Sequence, residues 1–331
     1  MTFIVNYATL NDMKRIIIII LSILILGTSE ASAFWMWTPE TNKWVNPKYA
    51  VKDTPQEQLE FGKELLDQKE YKKAMNEFQK LIKHYPKSRE APKAQLYIGE
   101  CREGLDQQHK AFEAYQKIIA KYPFSDLAPE VVERQYKIGE KLLKHPEKNK
   151  VVQTIIGAEY DVIDVFRTVI KNAPYGQYAA VSQYKIGLYL MEKRMYQEAR
   201  DELDKVINDY PDSEWVKPAK YQIAVVDAAR SAGAEYDQKI TRSAVEEFEE
   251  FVAVYPDAEL SKKAKEEISL LQEKEAENNF LIGKFYQKQK KYEAARIYYA
   301  GVVDSYPGSS WAEKASKEIS NIDKKIQKEK K

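Results

Sequence analysis

Three histidines, His84, His109 and His145, and one thiol, Cys101, are the side chains best suited to hold a transition metal or attack an electrophile. A metal site needs several such ligands converging, and nucleophilic catalysis needs a base within hydrogen-bond reach of the nucleophile. Neither pattern is present. The histidines fall in separate stretches, each near an expected helix end where imidazole is ordinarily exposed, and no two sit at helical spacing. Cys101 has no histidine near it in sequence and reads as a small buried apolar residue. No glycine-rich phosphate loop, nucleophile elbow or cysteine pair occurs. With 51 Asp and Glu residues spread along the chain, no carboxylate pair stands out as an acid and base. The residues predict a protein without catalytic residues, without a cofactor and without a metal.

Charge narrows the field further. Lys and Arg number 52 against 51 acids, a net charge of +1, so no bulk field favours nucleic acid. The charges alternate along the chain as a solvated helical surface requires, and the basic end over residues 324–331 reads as a frayed helix end.

What must position these side chains is a repeat. Gly62, Ala74, Phe78 and Pro86 stand at offsets 0, 12, 16 and 24. Gly99, Ala111, Tyr115 and Pro123 keep those offsets, as do Gly187, Ala199, Leu203 and Pro211, and Gly283, Ala295, Tyr299 and Pro307. Gly139, Val162, Phe166 and Pro174 fit with an insertion of eleven residues between the helices, and Ala224, Ala244, Phe248 and Pro256 with eight. Within each unit apolar residues recur at three and four, which predicts two antiparallel helices that are too short to persist alone in water. The small residue and the Ala let the two backbones approach, the large residue fills the space beside them, and the proline expels the residue before it from the helical region. That residue is Tyr in five units and Ala173 in the sixth, so a partly buried ring is expected to anchor most of the helix ends. The period approaches the 34 residues of the tetratricopeptide repeat, and the conserved offsets are those of that repeat. The expected fold is all-α, a tetratricopeptide-like solenoid of six helix pairs with a C-terminal capping helix, each pair covering an apolar face of the next.

The expected organisation is an over-extended start at residues 1–12, a signal peptide at 13–33, an aromatic hairpin or cap at 34–54, the repeats at 55–307, and a capping helix with a basic tail at 308–331. Lys14 and Arg15 precede an apolar run over residues 16–26, too short to span a bilayer, and Ala31-Ser32-Ala33 marks cleavage after Ala33, the rival reading being an uncleaved leader that anchors the chain to a membrane. Met13 is the expected initiator. No cysteine follows the cleavage site to accept a lipid, and the implied location is the periplasm. Trp35, Trp37 and Trp44 flank a polar turn, predicting a hairpin that caps the first repeat or, alternatively, docks on a membrane surface or a partner. Residues 258–288 contain no proline and predict one long helix, and residues 311–328 a closing helix with Trp311, Ala315 and Ile319 inward.

A repeat array of this kind implies protein binding. The positions three before each small residue are Leu59, Leu96, Tyr136, Tyr184, Tyr221 and Phe280. These rings are read either as a ladder standing free in the groove for an extended or helical peptide, or as packing against the neighbouring repeat. Lys63 and Lys284, one position after the small residue at the two ends, are the expected positive rims.

The leader, the Tyr-Pro-x-Ser and Tyr-Pro-x-Ala endings and the segment 236–306 resemble the BamD-like family of outer-membrane protein assembly factors. The likeness is most specific in two runs. One holds Tyr236, Asp237, Gln238, Thr241, Ala244, Phe248, Phe251 and Tyr255-Pro256. The other holds Glu275, Ile282 through Tyr286, Tyr292, Ala294-Ala295 and Tyr306-Pro307. The resemblance implies a subunit that binds the periplasmic domains of a β-barrel insertase through its later repeats, near Tyr221, Phe280 and the long helix. It also implies that unfolded outer-membrane protein segments meet the earlier repeats at Leu59, Leu96 and Tyr136. Two departures from that family are the absent lipid-acceptor cysteine and six repeats where five are usual. A free periplasmic scaffold for other envelope or export machinery is the alternative with the same fold.

Overall fold

The structure is a computed structural model that describes residues 36–38, 43–46, 50–144, 161–231 and 238–329. Among them are thirteen helices: α1 Pro55–Asp67, α2 Tyr71–His84, α3 Ala91–Gly104, α4 Gln108–Lys121, α5 Ala128–Lys144, α6 Val162–Asn172, α7 Ala179–Glu192, α8 Tyr196–Asp209, α9 Val216–Ser231, α10 Gln238–Val254, α11 Glu259–Lys288, α12 Tyr292–Ser305 and α13 Ser310–Glu329. Each helix packs on its neighbours in the chain. The first twelve form six pairs and α13 covers the last, an all-α solenoid. The leader, Trp35 and His145 lie outside the described residues, as do the eleven-residue insertion and the loop before α10.

In the five units with a motif glycine, that glycine seats the large residue of the second helix. A Cβ built on Gly62 would come 2.5 Å from Phe78 Cε1, on Gly187 2.6 Å from Leu203 Cγ, and on Gly283 2.9 Å from Tyr299 Cε1. Phe78, Tyr115, Phe166, Leu203, Phe248 and Tyr299 are all fully buried. Cys101 joins this core, where burial pushes its thiol up to about 11 and removes it from thiolate chemistry.

Two turns recur. In the four units without insertions the first helix ends at a residue with positive φ: Lys69 at 61°, Asp106 at 57°, Arg194 at 61° and Lys290 at 60°. The next amide reaches back five residues, as in Glu70 N to Leu65 O at 2.9 Å and Gln107 N to Arg102 O at 2.9 Å, closing the helix with a left-handed cap. The second turn follows each second helix. The residue before proline donates its amide back to the helix, and its carbonyl accepts from the residue two beyond the proline. Ser88 N to Tyr85 O is 3.1 Å, Ser125 N to Tyr122 O 2.9 Å, Gly176 N to Ala173 O 3.0 Å and Ser213 N to Tyr210 O 3.0 Å. Ala258 N to Tyr255 O at 3.1 Å and Ser309 N to Tyr306 O at 3.0 Å complete the set. Proline occupies the first central position of all six, where its fixed φ suits the turn.

At the amino end, strands Met36–Thr38 and Lys43–Val45 pair antiparallel with Trp37 opposite Trp44. Their rings meet edge to face at 5.8 Å. Both remain partly open to solvent, Trp37 by 45% and Trp44 by 63%, and each covers part of the other.

Candidate protein-binding surface

The first helices present two kinds of position toward the groove. Leu59, Leu96, Tyr136, Tyr184, Tyr221 and Phe280, expected to stand in it, are all buried, with at most 9% of any of them exposed. Tyr136 stacks on Tyr178 at 4.7 Å, Tyr184 meets Trp215 at 5.1 Å and Phe280 meets Trp311 at 5.0 Å. Tyr178, Trp215 and Trp311 each stand four residues past a motif proline, at the entry to the following helix. Tyr221 packs on Phe248 and Phe251, each at 5.7 Å. The free ladder is therefore corrected: Tyr136, Tyr184 and Phe280 pack against the entry to the next repeat and Tyr221 against the second helix of its own, because burying both partners removes more surface from water than leaving one exposed.

A buried glutamine escaped the sequence reading. Gln58, Gln95, Gln135 and Gln183 stand four residues before the motif glycines and are all buried. Gln95 donates to Ala114 O at 3.0 Å and Gln183 to Glu202 O at 3.1 Å, tying first helix to second. In the third pair Gln135 instead donates to Gln116 Oε1 at 2.9 Å, and Asn172 Nδ2 donates to both Gln116 Oε1 and Gln135 Oε1 at 2.8 Å. The recurrence at a fixed offset was the available signal.

The position after each small residue is charged in four units. At the ends Lys63 and Lys284 are exposed, as a positive rim requires. In the middle the equivalents are tied across repeats. Arg134 donates to Glu100 at 2.7 Å, and Lys185 reaches Glu140 at 3.0 Å. Burial pushes the Glu100 carboxyl up more than Arg134 lowers it. For Glu140 burial also pushes up, but hydrogen bonds from Lys185 and Tyr136 outweigh it and hold the carboxyl below its usual range. His109, expected at an exposed helix end, is buried, and neither ring nitrogen has a hydrogen-bond partner among the described residues. His84 is exposed. Among the described residues no three His, Cys, Asp or Glu side chains are grouped to hold a metal, and no helix is long and apolar enough to cross a membrane.

Exposed apolar side chains also lie along the long helix α11. Leu270, Leu281 and Phe285 are 65%, 50% and 57% exposed. Steps of eleven and four residues bring them onto one stripe. Phe285 meets Tyr286 at 5.7 Å, and Tyr286 stacks on Tyr298 of α12 at 5.4 Å, so an aromatic step continues from the stripe onto the next helix. Ile297, beside Tyr298, is exposed as well.

Comparison with known proteins agrees with this architecture. The family model for the outer membrane lipoprotein YfiO matches residues 161–331, just over half the chain, and a tetratricopeptide repeat model matches residues 64–88 and 93–125. No curated protein matches. Solved structures similar to this chain include a tetratricopeptide repeat protein from Parabacteroides merdae, with 13% identity over 81% of this chain and 98% of that one at a TM-score of 0.35. YrrB, described as a tetratricopeptide protein with an unusual peptide-binding site, has 15% identity over 66% and 94% of the two chains at 0.35. PilW, a type IV pilus biogenesis factor, has 15% identity over 80% and 98% at 0.29. Overlap at such scores carries no functional argument. The family match, joined to the repeat geometry, makes this chain a member of the YfiO, or BamD-like, family of outer membrane lipoproteins.

Proposed function

We propose that this chain is a non-catalytic protein-binding scaffold of the outer-membrane β-barrel assembly machinery, acting in the periplasm at the inner face of the outer membrane. The exposed residues Leu270, Leu281 and Phe285 carry the reading, because they lie in the family-matched segment and share one face of α11, with Lys274 and Glu277 between the first two. On this reading the stripe and the aromatic step on α12 hold the periplasmic domains of a β-barrel insertase. The earlier repeats receive unfolded outer-membrane protein segments, through their exposed polar edge and the Lys63 rim and not through the buried rings. Lys284, one residue from Phe285, adds a cation beside the apolar stripe.

The test is affinity purification of the tagged chain from envelope extract. The insertase should co-purify with the wild type and be lost from Leu281→Ser/Phe285→Ser, whose circular dichroism should match the wild type. Retention of the insertase by the double variant removes the stripe from the interface, and absence of the insertase from the wild-type eluate defeats the assembly role. One observation favours the alternative of a free periplasmic scaffold: the exposed Trp37 and Trp44 pair, which would then serve as its docking arm.

A further inference from the structure

The six proline turns share one hydrogen-bonded geometry and differ in what they display. The residue after the proline takes the second central position and is exposed in every copy: Lys87, Phe124, Tyr175, Asp212, Asp257 and Gly308. Because every first helix runs the same way, all six turns lie along one edge of the solenoid. Two of the six hold aromatic rings, and they are the most exposed large apolar side chains among the described residues: Phe124 at 101% and Tyr175 at 95%. A ring displayed this openly contributes no burial energy to folding, so nearly all of its apolar area is available to something outside the chain.

Charge divides the same edge in two. The turns 83–90, 120–127 and 171–178 carry Lys83, Lys87, Arg89, Lys121 and Lys171 against Glu90 and Asp126, a balance of +3. The turns 208–215, 253–260 and 304–311 carry Asp209, Asp212, Glu214, Asp257, Glu259 and Asp304 with no base, a balance of −6. The whole chain, near neutral, hides this polarity. The five bases of the first half are exposed and make no ion pair among the described residues. The two aromatic turns are also held in register. Asn172, the last residue of α6, bonds Gln116 of α4 at 2.8 Å, so the helices that end in the Phe124 and Tyr175 turns are joined directly, close to those turns.

We propose that the edge built by the first three turns docks on an anionic bilayer surface, with Phe124 and Tyr175 entering the headgroup layer. Three features favour a bilayer over a folded partner. The rings stand on convex tips, which suit a medium that can be penetrated more than a complementary pocket. Aromatic rings are at home at the membrane-water interface. Flexible unpaired lysines beside them match a diffuse negative surface, to which each adds attraction. The acidic half of the edge is repelled by that surface, so the solenoid would meet it tilted, with the later repeats and the α11 stripe held away. The inference stands apart from the assembly reading and needs no insertase.

The test uses the full chain with vesicles of phosphatidylethanolamine and phosphatidylglycerol at about three to one, and with phosphatidylcholine vesicles as the neutral comparison. An environment-sensitive nitrobenzoxadiazole label is placed at Tyr175→Cys or, at the equivalent turn of the acidic half, at Asp257→Cys, since Cys101 is fully buried. The label at 175 should brighten and shift to the blue on anionic vesicles only, the label at 257 should not, and salt should weaken the response. Phe124→Ser/Tyr175→Ser should lower vesicle partitioning by about tenfold with an unchanged helical signal. A label at 175 that stays dark while the protein is bound, or equal partitioning by the double Ser variant, overturns the proposal by showing that another segment binds. Failure to bind vesicles of either composition overturns it in favour of an acidic protein partner at this edge.

Discussion

Gly139 lies beneath the ring of Phe166: a Cβ on Gly139 would come 2.7 Å from Phe166 Cε1 and 2.8 Å from its Cζ. The pair belongs to the unit with eleven inserted residues, so the seat of the large residue on the small one survives a break in the spacing. Close approach of the two helices, and not the length of the connection, is what the repeat conserves.

Phe166 is fully buried and cannot swing aside, so Gly139→Ala should cost about 1–3 kcal/mol by overpacking. Gly301, inside α12, has no atom near its would-be Cβ within 4 Å. There the same change should be neutral or should stabilise by up to about 1 kcal/mol through helix propensity. Urea unfolding of the two variants followed by circular dichroism separates the outcomes; equal effects at both sites would show that the glycine motif is not a steric requirement.

Removing one ring of the buried series should weaken folding and leave binding to a partner elsewhere untouched. Tyr221→Ala takes away contacts with Phe248 and Phe251 and should cost about 3 kcal/mol. Because stability in a solenoid is a sum over neighbouring units, the loss should centre on α9, α10 and α11. Amide hydrogen exchange checks this. Uniform protection across these helices in the variant would return Tyr221 to the groove as a free contact residue.

Two buried groups pull the pH dependence of stability in opposite directions. Burial raises the Asp227 carboxyl, and Arg200 only partly offsets it. The folded state therefore resists ionising Asp227, and stability falls as pH climbs from the ordinary aspartate range through the raised value. Burial lowers His109, so stability is kept above the ordinary histidine value and lost as pH falls from there through the lowered one. Thermal unfolding across the acid range should show Asp227→Asn removing the first slope and His109→Met the second. A variant whose curve keeps the wild-type shape would clear the corresponding residue.

The sequence was enough for the solenoid. Gly, Ala, a large residue and Pro at fixed offsets name the sites where two helices touch and where the second must stop, and these are local steric requirements that residue type carries openly. The long helix Glu259–Lys288 was equally legible, since nothing in it breaks the helical period. The left-handed caps were not. Lys69, Asp106, Arg194 and Lys290 carry no glycine signal, and their positive φ is imposed by the second helix folding back on the first, at about 1–2 kcal/mol of intrinsic cost each.

Exposure, too, was beyond the sequence. Tyr136 and Tyr175 are the same amino acid in one repeat unit, yet one is stacked between repeats and the other stands almost wholly in water. Residue type sets how much apolar area a ring offers. Whether that area is covered depends on the curvature of the stack and on which neighbour arrives beside it. Burial is a property of pairs brought together by tertiary packing, and no single position in the chain encodes it.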